Sequence, residues 1–118
     1  MKTFLGLVAT LLLLTAAPAW AGQNTLTWTD NSNNEANFNI ERTTAADVAA
    51  CQTATGFTSL ASVGFNVATF TDAVVTEGTT YCYRVNASNP GGVSAFSNIA
   101  GRLVPFSVPL APSALGVN

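Results

Sequence analysis

The chain has 118 residues, of which only 8% are charged, a formal net charge of −2 and no histidine. Four Lys and Arg in all cannot make the clustered basic footprint that nucleic acid or an anionic membrane surface requires. The low charge does not signal disorder, because aromatic and β-branched residues are plentiful, and the length suits one small domain.

Residues 1–21 read as an export signal. Lys2 is the only charge before Asp30, residues 4–14 are an apolar run short for a bilayer span, and Ala19-Trp20-Ala21 is a small-x-small cleavage site. Its removal leaves residues 22–118, in which Arg42, Arg84 and Arg102 face six acids. The expected address is secreted or cell-surface, with the periplasm as an alternative, and without membrane insertion after cleavage. Cys51 and Cys82 are the whole cysteine inventory, and an oxidising compartment makes one bridge between them the simple expectation. Two cysteines without histidine are too few ligands for structural zinc, and no cofactor is expected.

Residues 24–29 alternate, with Leu26 and Trp28 on one face. Residues 30–35, Asp-Asn-Ser-Asn-Asn-Glu, are oxygen-rich but lack the glycine and distant glutamate of a calcium loop, so they read as turns held by their own side chains. Residues 37–43 alternate again, with Phe38 and Ile40 inward and Asn39 and Glu41 outward. Residues 44–56 read as an inserted loop with room for one helical turn near Asp47. Residues 57–63 form a weaker strand, Gly64-Phe65-Asn66 a turn, and residues 68–72 a short strand. The most regular stretch is 79–89, where Tyr81, Tyr83, Val85 and Ala87 share one face and Cys82, Arg84 and Asn86 the other. Asn89-Pro90-Gly91-Gly92 ends it. Residues 93–103 predict a last strand with Phe96 as its core candidate, and the uncharged, proline-bearing residues 105–118 read as a linker or tail.

Short strands separated by turns, with no convincing helix, predict an all-β, two-sheet sandwich. The carboxylates are scattered over loops and strand exteriors. There is no nucleophile–base motif and no Cys-x-x-Cys, which points to a protein that is not an enzyme.

Several segments, in order, resemble a fibronectin type III domain of the kind common in exported bacterial proteins. They are Leu-Thr-Trp-Thr-Asp-Asn-Ser-Asn-Asn-Glu at 26–35, Phe-Asn-Ile-Glu-Arg at 38–42, Gly-Thr-Thr-Tyr-Cys-Tyr-Arg-Val-Asn-Ala-Ser-Asn at 78–89, and Gly-Val-Ser-Ala-Phe-Ser at 92–97. The resemblance covers about residues 24–100. It implies an immunoglobulin-like sandwich with residues 24–29, 37–43, 57–63, 67–72, 79–88 and 93–103 as strands B, C, C′, E, F and G. It implies Trp28 as the core tryptophan of strand B, and Tyr81 as a tyrosine corner bonded to the backbone near Val75. Strand C runs antiparallel to F in this family, which makes a Cys51–Cys82 bridge and a Glu41–Arg84 pair reasonable.

One departure matters. The family opens with a Pro-x-Ala-Pro-Ser-x-Leu type strand A shortly before the strand B tryptophan. Here that interval is mostly export signal, so strand A is expected to be missing. A similar text, Pro-Leu-Ala-Pro-Ser-Ala-Leu-Gly-Val-Asn, stands at 109–118 instead. Three arrangements accommodate this: the segment opens a following domain of a tandem array, folds back onto its own vacant edge, or fills the edge of the next subunit in a head-to-tail homopolymer. The candidate assembly residues are Leu110, Ala111, Pro112, Leu115 and Val117. The expected division is 1–21 signal, 22–104 domain and 105–118 tail. The expected function is a non-catalytic exported structural, adhesion or binding module that meets a protein or polysaccharide surface. A self-assembling filament subunit and an accessory domain of a secreted enzyme are the alternatives.

Overall fold

The computed structural model describes residues 10–15 and 22–118. The proposed cleavage site and most of the apolar run before it lie outside the described residues. The described elements are β1 (Thr10–Thr15), β2 (Asn24–Thr29), β3 (Asn37–Ala45), a 3-10 helix (Ala49–Thr53), β4 (Thr58–Gly64), β5 (Thr69–Asp72), β6 (Thr80–Asn89), β7 (Gly92–Val93) and β8 (Ala100–Leu103). One sheet has the order β1-β2-β5. The other runs β4-β3-β6-β7, with β8 also on β6, and every pairing is antiparallel. The all-β, two-sheet sandwich expected from the period-two patterns is therefore what the chain forms.

The central pairing is β3 with β6, in unbroken register from Asn37↔Ser88 to Ala45↔Thr80. Alternation does the rest. Phe38 and Ile40 of β3 and Tyr81, Tyr83, Val85 and Ala87 of β6 face Leu26 and Trp28 of β2, and all are buried. Each fully buried aliphatic or aromatic side chain contributes about 1.5–3 kcal/mol of transfer free energy. Trp28 meets Phe38 in a tilted aromatic pair at 5.7 Å between centroids. Tyr81 makes the corner: its hydroxyl accepts the backbone N–H of Thr76 at 2.9 Å, next to Val75, which packs against the core.

Three expectations are corrected. First, the strand A position is not vacant in this chain. Thr10–Thr15 pairs with β2 from Thr10↔Thr29 to Thr15↔Thr25, with an irregularity between Leu11 and Leu13. The segment read as part of a leader thus supplies the third strand of the short sheet. A run of β-compatible residues next to an open edge has backbone groups to satisfy, and pairing satisfies both sides.

Second, the strand predicted over 93–103 is broken into β7 and β8. Between them Ser94 and Ser97 replace the ladder with side-chain bonds. Their backbone N–H groups donate to the carbonyls of Ala87 (2.8 Å) and Val85 (2.7 Å), while their hydroxyls accept from the N–H of Ala87 (2.9 Å) and Val85 (3.0 Å). Two serines three apart thus satisfy β6 without a continuous strand.

Third, Phe96 is not a core residue. It is half-buried on the outer face of the larger sheet, and the core position near the chain's exit belongs to Val104, fully buried.

Candidate functional site

Three places concentrate polar or unpaired chemistry. The first is the pole where β2 begins and β8 ends. Asn24 of β2, Arg42 of β3, Asp72 of β5, Tyr83 of β6 and Arg102 of β8 form one hydrogen-bonded chain. Arg42 Nη1 donates to Asp72 Oδ2 at 2.7 Å, and the Tyr83 hydroxyl donates to the same oxygen at 2.6 Å. Asn24 Nδ2 donates to the Tyr83 hydroxyl at 2.9 Å, and Arg102 Nη1 donates to Asn24 Oδ1 at 2.7 Å and to the Gln23 carbonyl at 2.9 Å. The second oxygen of Asp72 accepts the N–H of Val74. Asp72 and Asn24 are buried. Burial alone would lower the Arg42 pKa, but the hydrogen bond and charge of Asp72 outweigh it and hold the guanidinium above its ordinary value. Burial pushes the Tyr83 phenol well above its ordinary value, so it keeps its proton and acts as a donor. The chain joins the two sheets at one end, and both Asp72 oxygens are engaged in doing so.

The second place is the outer face of the five-stranded sheet. The Arg84 guanidinium stacks between the rings of Phe57 (4.2 Å) and Phe96 (3.8 Å), and its Nε and Nη2 donate to Glu41 Oε1 at 2.9 and 2.7 Å. The expected Glu41–Arg84 pair forms, with the guanidinium also packed over two aromatic rings. Such an arginine is a fixed part of the surface rather than an open anion receptor. Next to it the Cys51–Cys82 disulfide ties the 3-10 helix to β6, with both cysteines buried. A Cβ on Gly101 would lie 2.5 Å from Cys51 Sγ, so β8 carries glycine where the bridge crosses it. Along the same face Asn37, Asn39, Asn86 and Ser88 bond to one another across β3 and β6.

The 30–35 loop is also engaged. Burial alone would raise the Glu35 pKa, yet the Ser32 hydroxyl (2.6 Å) and the Asn66 N–H (3.2 Å) hold its carboxylate below the usual range. Glu35 therefore ties this loop to the turn after β4. Among the described residues no group of three or more His, Cys, Asp or Glu is placed to hold a metal ion, and no helix is long and apolar enough to cross a membrane.

The third place is the departure of the tail. Val104 exchanges backbone bonds with the turn before β6: Gly78 N–H donates to its carbonyl at 2.7 Å, and its own N–H donates to Thr79 O at 3.0 Å. The hydroxyl and N–H of Ser107 donate to the two oxygens of Glu77 at 2.6 and 3.1 Å and hold its pKa below the usual carboxylate value. The Phe106 ring lies over Gly78, which has φ +79 and where a Cβ would collide with the ring. Beyond this clamp the tail touches little. Leu110, Leu115 and Val117 are each 95% exposed, and Ala111 and Pro112 are exposed too. The candidate assembly residues are therefore presented, and this chain does not bring them to its own β2.

Trp28, Phe38, Ile40, Tyr81 and Tyr83 are buried in the core, and Val75 packs against it. The polar pole, the aromatic packing on Arg84 and the tail clamp emerge from the structure. The pole had a legible signal. Asn24 shares parity with Leu26 and Trp28, Arg42 with Phe38 and Ile40, and Asp72 with Phe70. All three are polar residues on inward-facing positions at strand ends, and buried polar groups require partners.

No family model and no curated protein matches the chain. Solved structures do. An Fn3-like protein from Clostridium thermocellum superposes with TM-score 0.62 at 22% identity, covering 81% of this chain and 90% of that one. The twitchin kinase region from C. elegans matches with TM-score 0.62 at 17% identity over 83% of this chain, which spans 17% of that protein. Pectate lyase PelI from Erwinia chrysanthemi, in complex with tetragalacturonic acid, matches with TM-score 0.61 at 22% identity over 79% of this chain and 27% of its own. These likenesses, together with the two antiparallel sheets and the tyrosine corner, show that the chain has the fibronectin type III fold.

Proposed function

We propose that this protein is a non-catalytic exported module that spaces, presents or binds. The observation that carries the reading is the polar pole. The hydrogen-bonded chain Arg42–Asp72–Tyr83–Asn24–Arg102, which reaches the interior of the sandwich, is committed to joining the two sheets, with the Asp72 oxygens occupied by Arg42, Tyr83 and Val74. A general acid or base needs a free lone pair or proton directed at a substrate. The small share of PelI that the chain matches also suits an accessory module within a larger secreted enzyme, with a protein or polysaccharide surface as partner. The test is to express the full-length gene with export and to incubate the purified product with polygalacturonate. The expected product lacks residues 1–21 by intact mass and releases no new chain ends. Turnover that survives purification and disappears in Asp72→Asn would overturn the non-catalytic reading. Retention in the cell with residues 1–21 intact would overturn export.

A second reading, assembly into a filament through residues 105–118, is favoured by one specific observation. Four large apolar side chains, Val108, Leu110, Leu115 and Val117, are 87–95% exposed on one segment that the clamp holds out from the domain. Contiguous exposed apolar residues mark interaction surfaces.

A further inference from the structure

We infer that the C-terminal segment of one copy of this chain adds as an antiparallel strand to β2 of a second copy, with Leu115 opposite Trp28, Gly116 opposite Thr27 and Val117 opposite Leu26. The inference rests on the assembly reading and on the removal of residues 1–21, and it specifies the interface.

The receptor is the side of β2 away from β5. β5 takes one side, from Asn24↔Asp72 to Thr27↔Thr69, and β1 takes the other. β1 shows that this edge accepts an antiparallel strand from Thr25 to Thr29, with one irregularity in register. β1 also lies inside the stretch read as an export signal, so processing after Ala21 would remove it. On that side β2 would then lose β1 as its neighbouring strand, beside Leu26 and Trp28, whose side chains belong to the core.

The donor is the tail. The edge asks for apolar residues two apart, opposite Trp28 and Leu26. Leu115 and Val117 have that spacing, with glycine between them facing out. Both are 95% exposed, so pairing changes their surroundings more than those of most residues in the chain. Ala114 stands at φ 57, in the left-handed region that is unfavourable for an L-residue and that an extended strand would relieve.

Direction selects a second copy over the same one. β8 ends at Leu103 opposite Thr80, and Arg102 reaches Gln23 and Asn24, so the tail leaves at the pole where β2 begins. An antiparallel partner of β2 must enter at the other pole, beside Thr29. Ser107 is pinned to Glu77, and the eight residues from there to Leu115 span at most about 28 Å. Folding back would require them to climb the six residues of β2, roughly 20 Å, cross to the edge and reverse, with Pro109 and Pro112 in the path. A second copy placed beyond the exit pole receives the tail in the right direction without a reversal. Each copy then donates at one end and accepts at the other, a heterologous contact that propagates as an open head-to-tail polymer.

The test uses the full-length gene exported from one host, as two single variants, Thr27→Cys and Gly116→Cys, mixed under oxidising conditions. The expected result is a disulfide-linked dimer in the mixture, with residues 27 and 116 joined in the digest. The double variant should give a ladder of linked species on a non-reducing gel. Leu115→Asp, whose side chain touches nothing in the domain, should cut the linked yield at least tenfold. Oligomers in light scattering with no 27–116 link would overturn this pairing while leaving assembly in place. Monomers without the link would remove both. A link in the double variant but none in the mixture would mean fold-back, and would also overturn the proposal.

Discussion

Asp72→Ala is expected to destabilise the protein by about 2–4 kcal/mol, read as a shift of the urea midpoint at unchanged slope. The carboxylate is 2% exposed and accepts from Arg42, Tyr83 and the Val74 N–H. Its removal strands a guanidinium and a buried hydroxyl together. The lower end of the range for broken buried pairs applies because the Arg42 side chain keeps 25% of its surface in water. Asp72→Asn keeps an acceptor for Tyr83 and loses the charge, so its cost should fall between that of wild type and of alanine. Equal stabilities for wild type and Asp72→Ala would mean that the polar pole does not hold the sheets together.

The second large effect belongs to the disulfide. Replacing both Cys51 and Cys82 by alanine should cost about 3–4 kcal/mol, the loop-closure value for a bridge across 31 residues. The core face of β6 is untouched by this change, so the fold should persist. The 3-10 helix should become protease-sensitive between β3 and β4, since besides the bridge it is held by bonds such as Gln52 Nε2 to the Ile99 carbonyl and Asp47 to the Ala50 N–H. Gly101 supplies a cross-check. Gly101→Ala puts a methyl against Cys51 Sγ in the wild type, and should cost clearly less once that sulfur is gone. Additive effects would place the bridge away from β8.

The core could be read from the sequence because period-two alternation is a strong local signal. Tyr81, Tyr83, Val85 and Ala87 had one plausible face, and once they were inside, Cys82 and Arg84 had to be outside. The pairing of β3 with β6 put Glu41 opposite Arg84 and brought Thr43 opposite Cys82. The polar pole was equally periodic but ran against residue type. A charged Arg42 in line with Ile40 reads as a strand end turning to solvent unless its partner on another sheet is known. The clamp had no periodic signal. It depends on Phe106 meeting a glycine with positive φ, Gly78, which are distant in sequence and joined only by the return of the chain. The break in the last strand depended on two serine hydroxyls acting as backbone acceptors, which hydropathy does not encode. The candidate assembly residues were legible as a strand-like text in an unexpected place. Their direction became clear only from the pole at which the chain leaves.

The secure half of the molecule is the β3–β6 sheet, and the proposed site of interaction is the side of β2 that β1 occupies in the full chain. Amide deuterium exchange on the exported protein, followed from low to high concentration, tests this most directly. The prediction is that the amides of β2 directed away from β5 and those of residues 113–117 gain protection together as concentration rises, while those of β3 and β6 are slow throughout. Protection of β2 that is complete at the lowest concentration, with residues 113–117 exchanging freely at every concentration, would contradict it.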